Sequence, residues 1–258
     1  MLFAVLVRKA YRVNLQYRSS HLIHNLASSL FGFMYIFIWM GIGADHELEG
    51  YGVKGMVSYV GFTQAALWVT TFATFGLGIP ERVRTGQISL DLMRPVSLFY
   101  QTAIREWGQV AYQFVYKTIP IYLIYFFVFS LPLPTRISTY AGTLAALIVG
   151  AYLSICIQYL VGIVSLWTTE STWFHWVHYA FSMLLSGFFV PIEWLPSWLR
   201  PLSLNSFYPY LQYHPVKIYM EHESFRVLGG GLLWCLLFTI VCAGLTVLAR
   251  QKVEVQGG

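Results

Sequence analysis

The sequence predicts an all-α polytopic membrane protein with six transmembrane helices, an N-terminal interfacial amphipathic helix and an external re-entrant segment. Of the 258 residues, 57% are hydrophobic and only 10% are charged, which lies well outside the composition of a soluble domain. The apolar runs are continuous, whereas strands of a membrane barrel alternate apolar and polar residues. Because a spanning helix takes about 20 residues, we expect residues 1–258 to form a single transmembrane domain.

The spans are located by six stretches that lack charged residues, because a charge at the bilayer centre costs about 2.5 kcal/mol or more. We expect them at residues 26–43, 56–79, 110–131, 139–167, 173–190 and 228–249. The third span then contains Lys117. An ionisable residue inside a span is a candidate functional residue.

The distribution of Lys and Arg predicts the orientation of these spans. With the N-terminus inside, ten basic residues lie on the inner side and five on the outer side. The inner set is Arg8, Lys9, Arg12, Arg18, Arg82, Arg84, Arg94, Arg105, Arg250 and Lys252, and the outer set is Lys54, Arg136, Arg200, Lys217 and Arg226. Since basic residues concentrate on the cytoplasmic side, both termini are expected in the cytosol. Anionic lipid of the inner leaflet accounts for the net charge of +5, so no nucleic-acid partner is expected.

Residues 1–20 show a helical amphipathic pattern ahead of the first span. One face at 100° per residue carries Phe3, Leu6, Val7, Ala10, Val13 and Tyr17, and the other carries Arg8, Lys9, Arg12 and Gln16. This pattern is typical of a helix that lies in the membrane interface. The sequence leaves open whether this helix anchors the first span or docks a partner.

Residues 191–226 are apolar but interrupted by proline. The prolines are Pro191, Pro196, Pro201, Pro209 and Pro215. They break any continuous helix, while Trp194 and Trp198 are typical of a membrane interface. We therefore expect short helices that dip into the outer leaflet. Their backbone groups must be satisfied by protein or water, so this segment should pack on neighbouring spans or cap a cavity.

The stretch "ERVRTGQISLDLMRPVS", residues 81–97, is charged in an otherwise apolar chain. Pro80 ends the preceding span, Gly86 suits a left-handed turn, and Pro95 stops a second short helix. That helix bears Ile88, Leu92 and Met93. An ordinary positive-inside loop explains the arginines but not this apolar, Gly- and Pro-framed elbow. The cytosolic segment 80–105 is therefore favoured as a docking site for another protein.

The elbow also resembles a known family. The pattern Glu81-x-x-Arg84-x-Gly86-x-Ile88, followed by Leu92-x-Arg94-Pro95, resembles the intracellular segment of type-2 ABC exporter permeases, also called ABC-2 permeases. The external stretch "SGFFVPIEWLPSWLRPLS" resembles their external signature. When the order of these motifs along the chain is taken together with the predicted spans, the resemblance covers essentially the whole chain. It is nearest to the compact bacterial permeases that lack a fused ATPase.

The resemblance implies a permease domain that pairs with a second copy or a paralogue in the bacterial cytoplasmic membrane. Two cytosolic ABC ATPase subunits would dock beneath it and drive export. The ATPase-coupling residues implied are Glu81, Arg84, Gly86, Ile88, Leu92, Arg94 and Pro95. The sequence contains no G-x-x-x-x-G-K-[ST] motif. ATP and Mg²⁺ are therefore expected in the partner ATPase, and this chain is expected to be a transporter subunit without enzyme activity or a cofactor of its own.

Polar residues within the spans are candidates for a substrate pathway. Gln64, Lys117 and Gln158 fall in the second, third and fourth spans, where they are candidates to line a route for an amphiphilic or anionic substrate. No metal site is expected. His175 and His178 share a helix face but lack a third ligand nearby, which favours a role as interfacial anchors.

The fourth span carries small or polar residues at every fourth position. They are Gly142, Ala146, Gly150, Ser154, Gln158 and Gly162. Such a stripe lets another helix approach closely. Packing inside one bundle and dimerisation both explain it.

Two other classes of protein are alternatives to an exporter subunit. A membrane-embedded enzyme needs clustered nucleophiles, bases or metal ligands at one leaflet. A stand-alone secondary transporter usually carries internal repeats and ion-binding residues at mid-membrane. The sequence shows neither signature, and both classes are kept as alternatives.

Overall fold

The computed structural model describes residues 7–9, 11, 18–168 and 170–256, and within these ranges the regular structure is helical without strands. The helices are α1 (Arg18–Asp45), α2 (Gly52–Thr70), α3 (Ile79–Arg84), α4 (Gln87–Leu92), α5 (Leu98–Gln113), α6 (Ile119–Phe129), α7 (Ile137–Thr168), α8 (Thr172–Leu185), α9 (Leu199–Leu204), α10 (Tyr213–Tyr219) and α11 (Leu228–Gln256). A π-helical turn, Phe114–Thr118, joins α5 to α6. The interfacial helix expected over residues 1–20 lies largely outside the described residues, although residues 7–9 and 11 are helical.

Five segments of the described chain are long and apolar enough to cross a bilayer. They are Asn25–Asp45, Gly52–Arg84, Leu98–Phe129, Ile137–Thr168 and Phe225–Gln251. The fifth span expected from the sequence, residues 173–190, corresponds to α8, which has 14 residues. At 1.5 Å per residue, α8 is about 21 Å long, shorter than the apolar core of about 30 Å. A count of six spans therefore stays a prediction.

The second and third expected spans have different boundaries in the structure. Helix α2 ends at Thr70, whereas the sequence predicted a helix to residue 79. The chain then forms a linker, residues 71–78, in which Gly76, Leu77 and Gly78 have φ values of 51°, 49° and 68°. Three consecutive positive φ angles cannot belong to a right-handed helix. The third apolar segment begins at Leu98, twelve residues earlier than the expected start at 110.

Helix α7 is the most buried of the five membrane-capable segments, and its glycines lie against the segment 191–226 and the linker. Gly142 faces Ile218 and Phe225. Gly150 faces the main chain of Tyr210 and Leu211. A Cβ atom placed on Gly162 would lie 2.1 Å from the carbonyl oxygen of Gly76 in the linker. These contacts assign the small-residue stripe to packing inside the chain.

Residues 191–226, which are expected to be external and are called the external segment below, follow α7 from its N-terminal end toward its middle. The carboxylate of Glu221 accepts hydrogen bonds from the backbone N–H groups of Thr135 and Arg136, just before α7 begins, at 3.1 and 3.0 Å. Tyr210 contacts α7 at Gly150, about 20 Å further along at 1.5 Å per residue. This depth agrees with a re-entrant course through the outer leaflet, which stays a prediction.

Candidate functional site

The elbow, residues 79–97, consists of α3, a glycine turn, α4 and the segment leading to α5. Gly86 has a φ of 74° and lies between the two short helices, which confirms the left-handed turn predicted from the sequence. Its N–H donates to the carbonyl oxygen of Val83 at 3.1 Å. A side chain at this φ would be strained, so the turn fixes the angle between α3 and α4.

An ion network fixes the shape of the elbow. The Asp91 carboxylate lies 3.0 Å from Arg82 Nη1 and 3.3 Å from Arg94 Nη1. Arg82 also donates through Nη2 to the carbonyl oxygen of Leu77, at 2.7 Å, and so binds the linker to the elbow. Asp91 is buried. It was absent from the residues predicted for the site, although an acidic residue among three arginines was a signal that could have found it.

The apolar side chains of the elbow divide into a buried and an exposed set. Ile88 and Leu92 are 5% and 7% exposed and belong to the core of this chain. In the conformation described, these two side chains pack inside this chain and are not available to a partner, and their role as coupling residues stays a prediction. Leu90 and Met93 are 65% and 81% exposed instead, and form the outer face of the elbow.

The remaining predicted coupling residues surround this outer face. Glu81, Arg84, Gly86, Arg94 and Pro95 are all exposed. The elbow thus presents two apolar side chains within a charged rim, the composition common at protein interfaces. Their role in ATPase coupling stays a prediction.

Polar side chains from α5 and α7 hold the main chain of the linker. Glu106 Oε1 accepts the N–H of Thr74 at 2.7 Å. Gln113 Nε2 donates to a linker carbonyl oxygen, that of Phe72, at 3.0 Å. Gln158 Oε1 accepts the N–H of Gly76 at 3.1 Å. Glu106 is not among the residues predicted for the site, because the third span was expected to begin four residues after it.

A cavity of about 310 Å³ lies between α1, α2 and α8. Phe31 from α1, Gln64 and Trp68 from α2, and Tyr179 and Met183 from α8 line it. Seven of the eleven lining residues are aromatic. The space therefore suits a mainly apolar occupant.

The three predicted pathway residues occupy two different places. Gln64 lines the cavity, and Lys117 Nζ lies 3.5 Å from the centre of the Trp68 ring, which also lines it. Lys117 is part of the π-helical turn, a feature often found at functional sites. Gln158 instead binds the linker, and its Nε2 lies 3.4 Å from Nδ1 of His175.

The two histidines expected to act as interfacial anchors contact different partners. His175 meets Gln158, whereas the His178 ring is nearly parallel to that of Tyr208, with centroids 5.9 Å apart. Among the residues described, no three His, Cys, Asp or Glu side chains are grouped as metal ligands.

At the opposite end of the spans, an ion pair fastens the external segment. Lys217 Nζ donates to Glu193 Oε1 at 2.7 Å, and the hydroxyl of Tyr51, next to α2, donates to the same oxygen at 3.3 Å. Burial alone would raise the pKa of Glu193, but hydrogen bonds led by that from Lys217 hold it below its usual value. The carboxylate is therefore charged near neutral pH.

Comparison with known proteins identifies one matching family. The model of the family described as "ABC-2 family transporter protein" matches residues 23–253. The match includes the elbow, the linker, the cavity and the external segment. Among curated proteins, no relative matches the chain.

Proposed function

The chain belongs to the ABC-2 transporter family, and we propose that it is the permease subunit of an ABC exporter that works as a dimer driven by separate cytosolic ATPase subunits. The second permease is another copy or a paralogue. The complex resides in the bacterial cytoplasmic membrane, in contact with its lipid, with both termini of this chain in the cytosol. ATP and Mg²⁺ bind to the partner ATPase.

The exposed face of the elbow carries this proposal. Leu90 lies on α4 and Met93 directly follows it, and the position of α4 relative to α3 is fixed by Gly86 and by Asp91. Apolar side chains inside a charged rim are typical anchors of protein interfaces. We place them at the ATPase contact, with Glu81, Arg84, Arg94 and Pro95 around them.

The connections of the elbow support a role in transmitting force. Arg250 of α11 donates through Nη2 to the carbonyl oxygens of Arg94 and Val96, at 3.3 and 3.2 Å. The linker on the other side is held by Glu106 of α5 and Gln158 of α7. A displacement of the elbow by the ATPase would therefore act on α5, α7 and α11 together.

The substrate pathway is proposed to include the aromatic cavity with Gln64 and the neighbouring Lys117. Gln158 would act on the pathway from its inner end, because its amide binds the linker. Among the described residues Lys117 is the basic residue that lies deepest in a membrane-capable segment, over an aromatic ring. Its charge therefore lies where it can affect which substrates move along the proposed pathway.

The test is isolation of the tagged chain from its native membrane. We expect a P-loop ATPase to copurify, a native mass with two permease and two ATPase subunits, and ATP hydrolysis that depends on the ATPase. A chain that is isolated alone and exports its substrate with an ion gradient would contradict the proposal and support a secondary transporter.

A further inference from the structure

We infer that the cavity between α1, α2 and α8 binds an uncharged aromatic molecule with one hydrogen-bonding group, and that Gln64 recognises this group. The inference deepens the proposed function, because we place this cavity in the substrate pathway. It rests on the proposed function in that one respect. It starts from a side chain that lacks a partner.

Gln64 is 7% exposed, lines the cavity, and its amide forms no hydrogen bond with any residue the structure describes. Other buried glutamines in the described chain form at least one hydrogen bond each, although the side-chain oxygens of Gln113 and Gln212 accept none. Gln101 donates to Val96, Gln113 to Phe72, and Gln212 to Thr70. An amide that lines a cavity without a protein partner must bond to water or to a ligand there. A molecule in the cavity can supply the missing acceptor or donor.

The walls of the cavity favour a flat, aromatic occupant. Phe72 lies between two other rings, 5.0 Å from Trp68 and 6.3 Å from Tyr179 between ring centroids. Rings bind other rings through offset and edge-to-face contacts. A volume of about 310 Å³ is at the lower end of small-molecule sites, so a ligand of two or three rings fits.

The charges around the cavity argue for an uncharged ligand. None of the described residues lining it is Asp, Glu, Lys or Arg, so a charged ligand would lose its hydration without gaining an opposite charge. Lys117 is not part of the lining, and its ammonium already lies over Trp68.

The probe is benzophenone, a neutral two-ring ketone that forms a covalent bond with nearby C–H groups under ultraviolet light. The purified chain is illuminated with increasing benzophenone, and the modified residues are located by mass spectrometry. We expect saturable modification of Met183, which lines the cavity. Diphenylmethane, which has the same rings without the carbonyl, should compete. The charged analogues 4-benzoylbenzoate and (4-benzoylbenzyl)trimethylammonium should label Met183 at least tenfold less efficiently.

The decisive variant is Gln64→Leu, with Gln109→Leu as the matched control on α5 outside the cavity. Loss of one hydrogen bond should raise the half-saturating benzophenone concentration about tenfold. Competition by diphenylmethane should hardly change, which also shows that the variant cavity is intact. Gln109→Leu should behave as the wild type.

Three results would overturn the inference: modification of Met183 that does not saturate, equal labelling by the charged analogues, or no effect of Gln64→Leu. Because this measurement needs no ATPase, its failure leaves the subunit isolation test untouched. Conversely, if no ATPase copurified with the chain, the result of the benzophenone labelling would be unaffected.

Discussion

The elbow and the external segment are both made of short helices and turns, but they are held in opposite ways. The external segment buries Leu211, Gln212 and Val216 in the bundle, and its exposed apolar residues, such as Trp198 and Leu202, lie where the sequence predicts a membrane interface. In the elbow, Ile88 and Leu92 are buried in the core of the chain, whereas Leu90 and Met93 are exposed. The external segment is thus packed along the bundle, whereas the elbow keeps two exposed apolar side chains on the face that we propose contacts the ATPase.

Both regions reach α7 at a glycine. The external segment passes at Gly150 and the linker to the elbow passes at Gly162. Helix α7 therefore contacts both the external segment and the linker that leads to the elbow. The comparison predicts that damage to either crossing lowers stability, but only damage to the elbow lowers ATPase affinity.

The largest expected effect is the all-or-none difference in sidedness. A cysteine replacing Arg136, beside the external segment, should react with a membrane-impermeant maleimide in intact cells. A cysteine replacing Thr85 in the elbow should react only after lysis, because the elbow is placed in the cytosol by the distribution of Lys and Arg. Both side chains are exposed. The background should have the native cysteines removed, and labelling of residue 85 in intact cells would refute the orientation.

The next largest expected effect is the loss of stability when either glycine of α7 that lies against another main chain is replaced. Gly162→Ala should reduce the stability of the purified chain by about 1–3 kcal/mol or more, as overpacking does, because its Cβ would meet main-chain atoms of Gly76 at 2.1 Å. Gly150→Ala should cost less, since the nearest atom is at 2.7 Å. Thermal unfolding measures both.

Gly244→Ala is the matched control, because nothing lies within 4 Å of its position on α11. This replacement should be neutral or slightly stabilising, as alanine is favoured over glycine in helices. Equal melting temperatures for the alanine variants at positions 162 and 244 would show that the linker is not tightly packed on α7.

Removing the charge of one ion pair in each region should affect ATPase affinity in the elbow and stability in the external segment. Asp91→Asn should lower ATPase affinity about tenfold, because Arg82 and Arg94 lose the charge that fixes the elbow. Glu193→Gln should lower the melting temperature without altering ATPase affinity, because Lys217 loses its partner at the far end. Binding and unfolding are measured on the same preparations. Equal losses of affinity in the two variants would contradict the separation of roles.

The smallest effect is that of acid on the external segment. The pKa of Glu193 is lowered as described, and hydrogen bonds from Thr135 and Thr139 hold the pKa of Glu221 below its usual value. A carboxylate with a depressed pKa stabilises the fold above its unfolded pKa and loses that contribution as pH falls through the folded value. Hydrogen exchange over residues 191–226 should therefore rise, after correction for the intrinsic rate, only below about pH 4. A transition between pH 5 and 7 would point to a different group.

Much of the fold followed from the sequence because charges mark the ends of apolar helices. The left-handed turn at Gly86 was correct, since glycine alone adopts that φ without strain. The end of α2 was wrong, because apolar residues continue through the linker and only Gly76 and Gly78 hint at its unusual backbone. Helix α8 was expected to be longer for the same reason: apolar character continues where the helix stops.

The site was harder to predict because its details depend on packing. Helix α4 has only six residues, with apolar side chains on more than one face, so the sequence could not tell which would be buried. The resemblance points to Ile88 and Leu92, whereas the structure exposes Leu90 and Met93. Glu106 was placed outside the third span because a charge seldom lies in one, yet its carboxylate binds the linker.

The central claim is that the outer face of the elbow binds the ATPase, and its most direct test is the affinity of that subunit for elbow variants. Leu90→Asp and Met93→Asp should each raise the Kd at least about tenfold, as loss of an interface anchor does, without lowering the melting temperature of the chain. Leu202→Asp is the control, because Leu202 is similarly exposed, at 55%, in the external segment, and it should leave the Kd unchanged. An unchanged Kd and full ATP-driven export in both elbow variants would contradict the account.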